Sequence, residues 1–223
     1  GIIIYFLRPL ILNKSRIALA TIVGCIILIE SGRFLQIYQL NTSNELIVFN
    51  QYKNSIIGIR NAGNNVTNKF DDVIVVEYID MYGIKSRNIF AATTDPGITS
   101  MTKPVSYKGC AILVPGQYRS AWKLGYHKGK YEAIVQYKPV KVYRDNNKDA
   151  VYDFNPKTIE EGTFGINIHK AGKHSTQVDN WSAGCQVLAN KEDFDTLMKL
   201  AHRQISQGYG KLFTYTLINE EDL

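Results

Sequence analysis

The chain has 223 residues, 26 Lys and Arg against 20 Asp and Glu for a formal net charge of +6, 45 % hydrophobic and 11 % aromatic residues, and three Cys. These values exclude a disordered polymer, a disulfide-stapled miniprotein and a collagen-like or low-complexity chain. The length suits one domain of roughly 150 to 180 residues with its own core plus an anchor, arm or linker, and the absence of a run of basic residues argues against a nucleic-acid partner.

The first forty residues differ from the rest. Ile2 to Leu7 and Pro9 to Leu12 are apolar around Arg8, Asn13-Lys14-Ser15-Arg16 interrupts them, and Ile17 to Ile29 is an unbroken run of 13 uncharged, mostly apolar residues. As a helix that run spans roughly 20 Å, short of the ~30 Å hydrocarbon core, and extending it to Leu40 takes in Glu30 and Arg33. Residues 1–40 therefore read as an apolar helical region in one of three forms: a membrane hairpin, a buried amphipathic helix, or an irregular signal-like leader. In the hairpin form Arg8, Lys14 and Arg16 mark the cytoplasmic side, which puts the remainder of the chain outside the cytoplasm, in the periplasm or cell envelope. The start at Gly1 rather than Met reads as processed, trimmed or fragmentary.

Residues 41–45 are a polar linker, and residues 46–223 read as a mainly β, α+β domain with one principal helix. Val73 to Ile79, Cys110 to Val114, the alternating Ala133 to Tyr143, Phe164 to Ile168 ending on His169, and Leu212 to Ile218 are strand-like. Asp95-Pro96-Gly97, Pro115-Gly116 and Asn155-Pro156 are turns between them. The helix is capped by Asn190, carries Asp193 in its first turn, presents Phe194, Leu197, Met198, Ala201 and Ile205 on one face, and ends at Gly208 and Gly210.

An odd number of Cys leaves at least one thiol free, and no CxxC spacing is present. Cys25 and Cys110 lie in apolar runs and read as small buried hydrophobes. Cys185 is different: it follows Trp181-Ser182-Ala183-Gly184, 16 positions after His169 at the end of a strand. A loop that folds back sets thiol and imidazole side by side, as nucleophilic thiol chemistry requires, because a free thiol with a pKa near ~8.5 needs a base beside it. Small Ala183 and Gly184 leave backbone N–H groups open toward an oxyanion.

At these residues the chain resembles the catalytic domain of the L,D-transpeptidases, the YkuD-type fold that crosslinks bacterial peptidoglycan. Ile168-His169 and Ser182-Ala183-Gly184-Cys185 match its "I-H-G" and "S-H-G-C-I-R" segments with fitting spacing, and Phe90 to Gly97 and Ile112 to Tyr118 look like its preceding strand-turn segments. The likeness spans roughly Ile56 to Ile218. The departures are Ala183 for the family's His, Gln186 after the Cys, Val187 for the usual Arg, and Lys170 for the Gly after the catalytic His; the form W-S-A-G-C-Q-V is similar to phage- and Bacteroidetes-related members.

The resemblance implies a β-sandwich or barrel fold and a cysteine acyl-transfer activity on peptidoglycan stem peptides, by transfer or by hydrolysis, with no cofactor required. Cys185 is then the nucleophile, His169 the general base and acid, and Ser182, Gly184 and the Cys185 backbone frame the oxyanion. Tyr118, Lys170, His174, Trp181 and Gln186 are the expected substrate contacts. The alternative is a catalytically degraded cell-wall-binding or virion structural module of the same fold.

Asp145, Asn147, Asp149 and Asp153 place oxygen side chains at alternate positions, as calcium loops do, but the loop lacks the Gly at its sixth place and has Pro156 where an EF-hand has Glu. It is either a Ca2+ site or an acidic hairpin turn. His127 reads as a loop residue, His202 as a helix-surface one, and Trp122 with Trp181 and Tyr118 as lids or a substrate platform.

Overall fold

The computed structural model describes the strands within residues 17–50 by their backbone, and residues 54–223 apart from 62 and 64 in full. Four strands come first: β1 (Ile17–Ile22), β2 (Cys25–Glu30), β3 (Arg33–Leu40) and β4 (Leu46–Asn50), an antiparallel sheet in that order. The helical reading of the N-terminal region is thereby corrected over Ile17–Ile22, Cys25–Glu30 and Arg33–Leu40, while residues 1–16, 23–24 and 31–32 and the linker 41–45 lie outside the described residues. The physical reason is composition: Ile17, Ile22, Ile26, Ile27, Ile29 and Ile37 are β-branched and stiff, and they suit a pleated surface better than a helix. No helix among the described residues is long and apolar enough to cross a membrane. Leu46–Asn50 pairs with β3 rather than with the domain that follows it.

The remaining strands are β5 (Ser55–Arg60), β6 (Asp72–Ile79), β7 (Lys85–Thr93), β8 (Cys110–Leu113), β9 (Gly116–His127), β10 (Tyr131–Gln136), β11 (Val140–Asp145), β12 (Glu160–Gly162), β13 (Ile168–Lys170), β14 (Gln186–Leu188) and β15 (Leu212–Asn219). Two helices join them, α1 (Ile98–Thr102) and α2 (Lys191–Ser206). Eight strands close a barrel in the order β10-β13-β14-β7-β6-β5-β15-β9, and β12-β11-β8 make a separate three-stranded sheet. The chain is thus mainly β with one long helix, as its alternation predicts.

Alternation fills the barrel. Ile56 on β5, Ile74 and Val76 on β6, Phe90 and Ala92 on β7, and Phe213, Tyr215 and Leu217 on β15 all point inward and are buried. Trp122 of β9 is fully buried among them and donates its indole N–H to the Ile166 carbonyl at 2.7 Å. The expected single strand Ala133 to Tyr143 is two strands: the N–H groups of Tyr137 and Lys138 both turn to the Ala121 carbonyl, at 2.7 and 3.1 Å. Pro139 then has no N–H for a ladder, and the chain leaves the barrel to pair β11 with β8.

Two elements position the site. In α2, Asn190 accepts the Asp193 N–H at 2.9 Å as an N-cap, and Phe194, Leu197, Met198, Leu200 and Ala201 are buried on the side packed against β13 and β14. Strands β13 and β14 are parallel, with Ile168 opposite Gln186 and His169 opposite Val187.

Candidate active site

The β13/β14 register sets the geometry. Gln186 is fully buried and points into the barrel, where its side-chain oxygen accepts the Tyr215 hydroxyl at 2.6 Å. Successive side chains alternate faces, so Cys185, one residue earlier, shares the opposite face with His169. The Gln186 N–H bonds the Asn167 carbonyl at 2.9 Å, which puts Cys185 beside Asn167 and diagonal to His169. With strand spacing of ~4.8 Å and two residues of rise, that diagonal is about 8 Å between Cα atoms, within reach of a thiol and an imidazole.

The His169 ring is 2 % exposed, and its proton position follows from its partners. Nδ1 lies 2.9 Å from the Lys170 carbonyl, which only accepts, so Nδ1 carries the proton. The Tyr131 hydroxyl donates to that same carbonyl at 3.2 Å and offers its lone pair to Nδ1 at 3.3 Å. Nε2 is therefore the basic nitrogen, and it is buried with no hydrogen-bond partner among the described residues. Burial, and then the neighbouring His127 imidazole, hold His169 down at about 3 against its usual 6.5, with the Lys170 carbonyl acting the other way. At neutral pH the ring is an uncharged base.

Cys185 is a half-buried free thiol whose Sγ donates to the Gly165 carbonyl at 3.3 Å. Burial pushes its pKa up, partly offset by the Asn167 backbone N–H and the Lys128 charge. Its charge in turn raises the pKa of Tyr131, after the larger effect of burial there. Cys185, Tyr131 and His169 therefore belong to one cluster, although among the described residues no hydrogen bond joins the thiol to His169.

The turn before Cys185 is built by Ser182. Its hydroxyl donates to the Cys185 carbonyl at 2.8 Å and accepts the Gly184 N–H at 3.1 Å. The oxyanion assignment is corrected accordingly: Ser182 is fully buried and holds the turn, the Gly184 N–H is occupied, and the Cys185 N–H, which has no partner among the described residues, remains the open donor. Gly184 sits at φ +128°, and a Cβ there would stand 2.0 Å from the Ala111 oxygen, so only glycine fits.

Several expected substrate contacts have other work. Tyr118 donates its hydroxyl to the Val114 carbonyl at 2.6 Å and packs edge-on to Trp122, so its polar end is used within the fold. Gln186, buried in the barrel, donates to the Gly184 and Thr94 carbonyls at 3.2 and 3.3 Å and so supports the turn before Cys185 from below. Lys170 keeps its ammonium 5.2 Å from the Tyr131 ring centroid. Trp181 is 41 % exposed, and His174 is exposed and bridges to Asn190 at the head of α2.

The acidic loop closes on itself. Asp145 accepts the Asp153 N–H at 2.9 Å, Asn147 the Asp149 N–H at 3.2 Å, Asp149 the Val151 N–H at 2.8 Å, and Asp153 the Asn147 amide at 3.0 Å. Among the described residues no group of three or more His, Cys, Asp or Glu is arranged to hold a metal ion. Cys110 is buried, with its thiol on the Ser100 carbonyl at 3.1 Å and its pKa pushed up to about 12, mainly by burial.

Sequence reasoning missed His127 and Asn167. His127 ends β9 instead of lying in a loop, is 6 % exposed, and stacks on His169 with ring centroids 3.9 Å apart. The alternation Leu124, Tyr126 against Gly125, His127 in a strand-like run was the available signal.

No protein-family description, characterised protein or solved structure matches the chain significantly.

Proposed function

We propose that the chain is a cysteine acyl-transfer enzyme acting on peptidoglycan stem peptides, an L,D-transpeptidase or L,D-carboxy- or endopeptidase of the cell envelope. The observation that supports it most is the His169 ring: Nδ1–H is tied to the Lys170 carbonyl, and Nε2 is left as an unpartnered base on the strand face that Cys185 shares.

In this reading His169 Nε2 takes the thiol proton as the Cys185 sulfur attacks the carbonyl carbon of an L,D-peptide bond. The oxyanion meets the Cys185 N–H. Collapse breaks the carbon–nitrogen bond, the imidazolium returns its proton to the departing amine, and a thioester remains. An acceptor amine, or water, then attacks the thioester carbonyl carbon as it loses a proton to His169; the carbon–sulfur bond breaks, and His169 returns the proton to the Cys185 sulfur. Burial pushes the Cys185 thiol pKa up and so disfavours a standing thiolate, and in this reading the proton passes to His169 as the sulfur attacks.

The test is product analysis of purified muropeptides incubated with the full chain. Crosslinked dimers, or stem peptides lacking the terminal D-residue, are expected with the wild type and lost with Cys185→Ala; His169→Gln is expected to slow the reaction ~10²- to 10⁴-fold. Unchanged muropeptides across pH 6 to 9 would overturn the proposal. One observation favours a second reading, a cell-wall-binding module: the thiol is parked on the Gly165 carbonyl instead of on the imidazole. Sacculus binding by both wild type and Cys185→Ala, with no turnover, would support that reading.

A further inference from the structure

The acyl-transfer reading uses one imidazole, but the site holds two. His127 comes from the end of β9, and its ring lies on that of His169 with centroids 3.9 Å apart and planes 26° from parallel. A ring buried in that position has its own anchor. Asn167 accepts the Gln136 N–H through its side-chain oxygen at 3.0 Å, which fixes the amide so that its NH2 faces His127 Nδ1 at 3.1 Å. Nδ1 of His127 is therefore an acceptor, and the proton of the neutral ring is on Nε2. Tyr131, on the other strand of the hairpin, stands 5.6 Å from the His127 centroid with its ring tilted by 43°, and its hydroxyl lies on His169 Nδ1.

Asn167 links these parts. Its backbone carbonyl takes the N–H of Gln186, next to the nucleophile, its backbone N–H favours the Cys185 thiolate, and its side chain orients His127. The β9/β10 hairpin and the β13/β14 pair are thus joined at the point where base and thiol must keep their alignment.

We infer that His127 is a positioning residue for acyl transfer: its Asn167-anchored ring braces His169 from one face, so that the Lys170 carbonyl and Tyr131 hold a single ring orientation with Nε2 as the base. The inference rests on the proposed Cys185 and His169 roles. Two stacked imidazoles also cannot both be charged without repulsion. The charged and titratable neighbours of the pair are Lys128 and Lys130 on the hairpin, Tyr131 on β10, Lys170 on β13 and Cys185 before β14; burial first, and then Lys128 and Lys130, oppose protonation of His127. The brace thus stays neutral with its partner.

The experiment is the saturated rate of Cys185 acylation by muropeptides, followed by intact mass, in full-length wild type, His127→Ala, His127→Phe, Asn167→Asp and His169→Gln. Long-range ¹H–¹⁵N spectra of the histidine rings accompany it. In the wild type, His169 is expected as the Nδ1–H tautomer and His127 as Nε2–H. His127→Ala should lower the saturated rate at least tenfold with little change in KM and give His169 a mixture of tautomers. His127→Phe, which keeps a stacked ring, should recover most of the rate. Asn167→Asp puts a carboxylate on His127 Nδ1, so His127 should become protonated at neutral pH and the acid limb of the rate profile should move to higher pH.

A folded His127→Ala with wild-type rate and an unmixed His169 tautomer would overturn the inference while leaving the acyl-transfer reading intact. If His127→Ala does not fold, a His127 Nδ1–H tautomer in the wild type would overturn it instead. A His169→Gln variant as fast as the wild type would overturn the underlying reading.

Discussion

Replacing Gly184 by Ala tests whether the turn before Cys185 is built as described. The residue sits at φ +128°, where a side chain costs ~1–3 kcal/mol. Its new Cβ would also stand 2.0 Å from the backbone oxygen of Ala111 on β8, a contact that no side-chain rotamer can relieve, and 3.1 Å from Ile166 Cδ1. Such overpacking costs ~1–3 kcal/mol more, for a total of about 2–6 kcal/mol. That is a large part of the ~5–15 kcal/mol that holds a typical domain together. Gly129→Ala is the control: its φ is +67° but nothing lies within 4 Å of its Cβ, so it carries the backbone cost alone. Urea unfolding of the full chain, followed by the fluorescence of buried Trp122, measures both, and the rate of Cys185 alkylation by iodoacetamide reads the position of the thiol. Gly184→Ala should lose at least ~1 kcal/mol more than Gly129→Ala and should change the alkylation rate. Equal losses in the two variants, with unaltered thiol reactivity, would refute the argument.

Three further outcomes are expected. Tyr215→Phe removes the hydroxyl that Gln186 accepts at 2.6 Å and leaves a buried amide oxygen unsatisfied, so it should cost ~1–3 kcal/mol in urea unfolding with the barrel otherwise intact. His169 is depressed in the fold, to about 3, so its neutral state contributes fully above pH ~6.5 and that contribution is lost as pH falls toward 3, by at most about 5 kcal/mol, because the unfolded chain takes up the proton first; His169→Gln should flatten that part of the stability profile, and an unchanged slope would contradict it. Since one side-chain oxygen of each of Asp145, Asn147, Asp149 and Asp153 already accepts an N–H or amide of the loop itself, and among the described residues no group of three or more His, Cys, Asp or Glu is arranged to hold a metal ion, millimolar Ca2+ or a chelator should leave the Tm of the full chain within about a degree; a clear rise with Ca2+ would show that the loop binds it.

What the sequence made legible follows physical range. The helix Lys191–Ser206 is local chemistry, an Asn190 cap and one apolar face, and it stands where the pattern puts it. Strands β6, β8 and β15 likewise carry clear alternating or apolar runs. The Ile17 to Ile29 run reads equally as a helix or as strands, because an unbroken apolar run has no period that separates the two. At the site, the spacing of His169 and Cys185 was visible, but the uses of neighbouring polar groups were not. Ser182, Gln186 and Tyr118 are all chemically able to meet a substrate, and only tertiary placement shows that their hydrogen-bonding groups are turned to the carbonyls and hydroxyls of the fold. His127 lies 42 positions before His169, and a ring stack at that separation leaves no local trace.

The central claim is that Cys185 forms a covalent acyl-enzyme with His169 as its base. It is tested most directly by intact-mass analysis of the full chain after incubation with purified muropeptides and, separately, with a carbapenem, beside Cys185→Ala and His169→Gln. The account predicts an acyl adduct on the wild type, none on Cys185→Ala, and slow accumulation on His169→Gln. No adduct on the wild type with either reagent, or one that persists in Cys185→Ala, would contradict it.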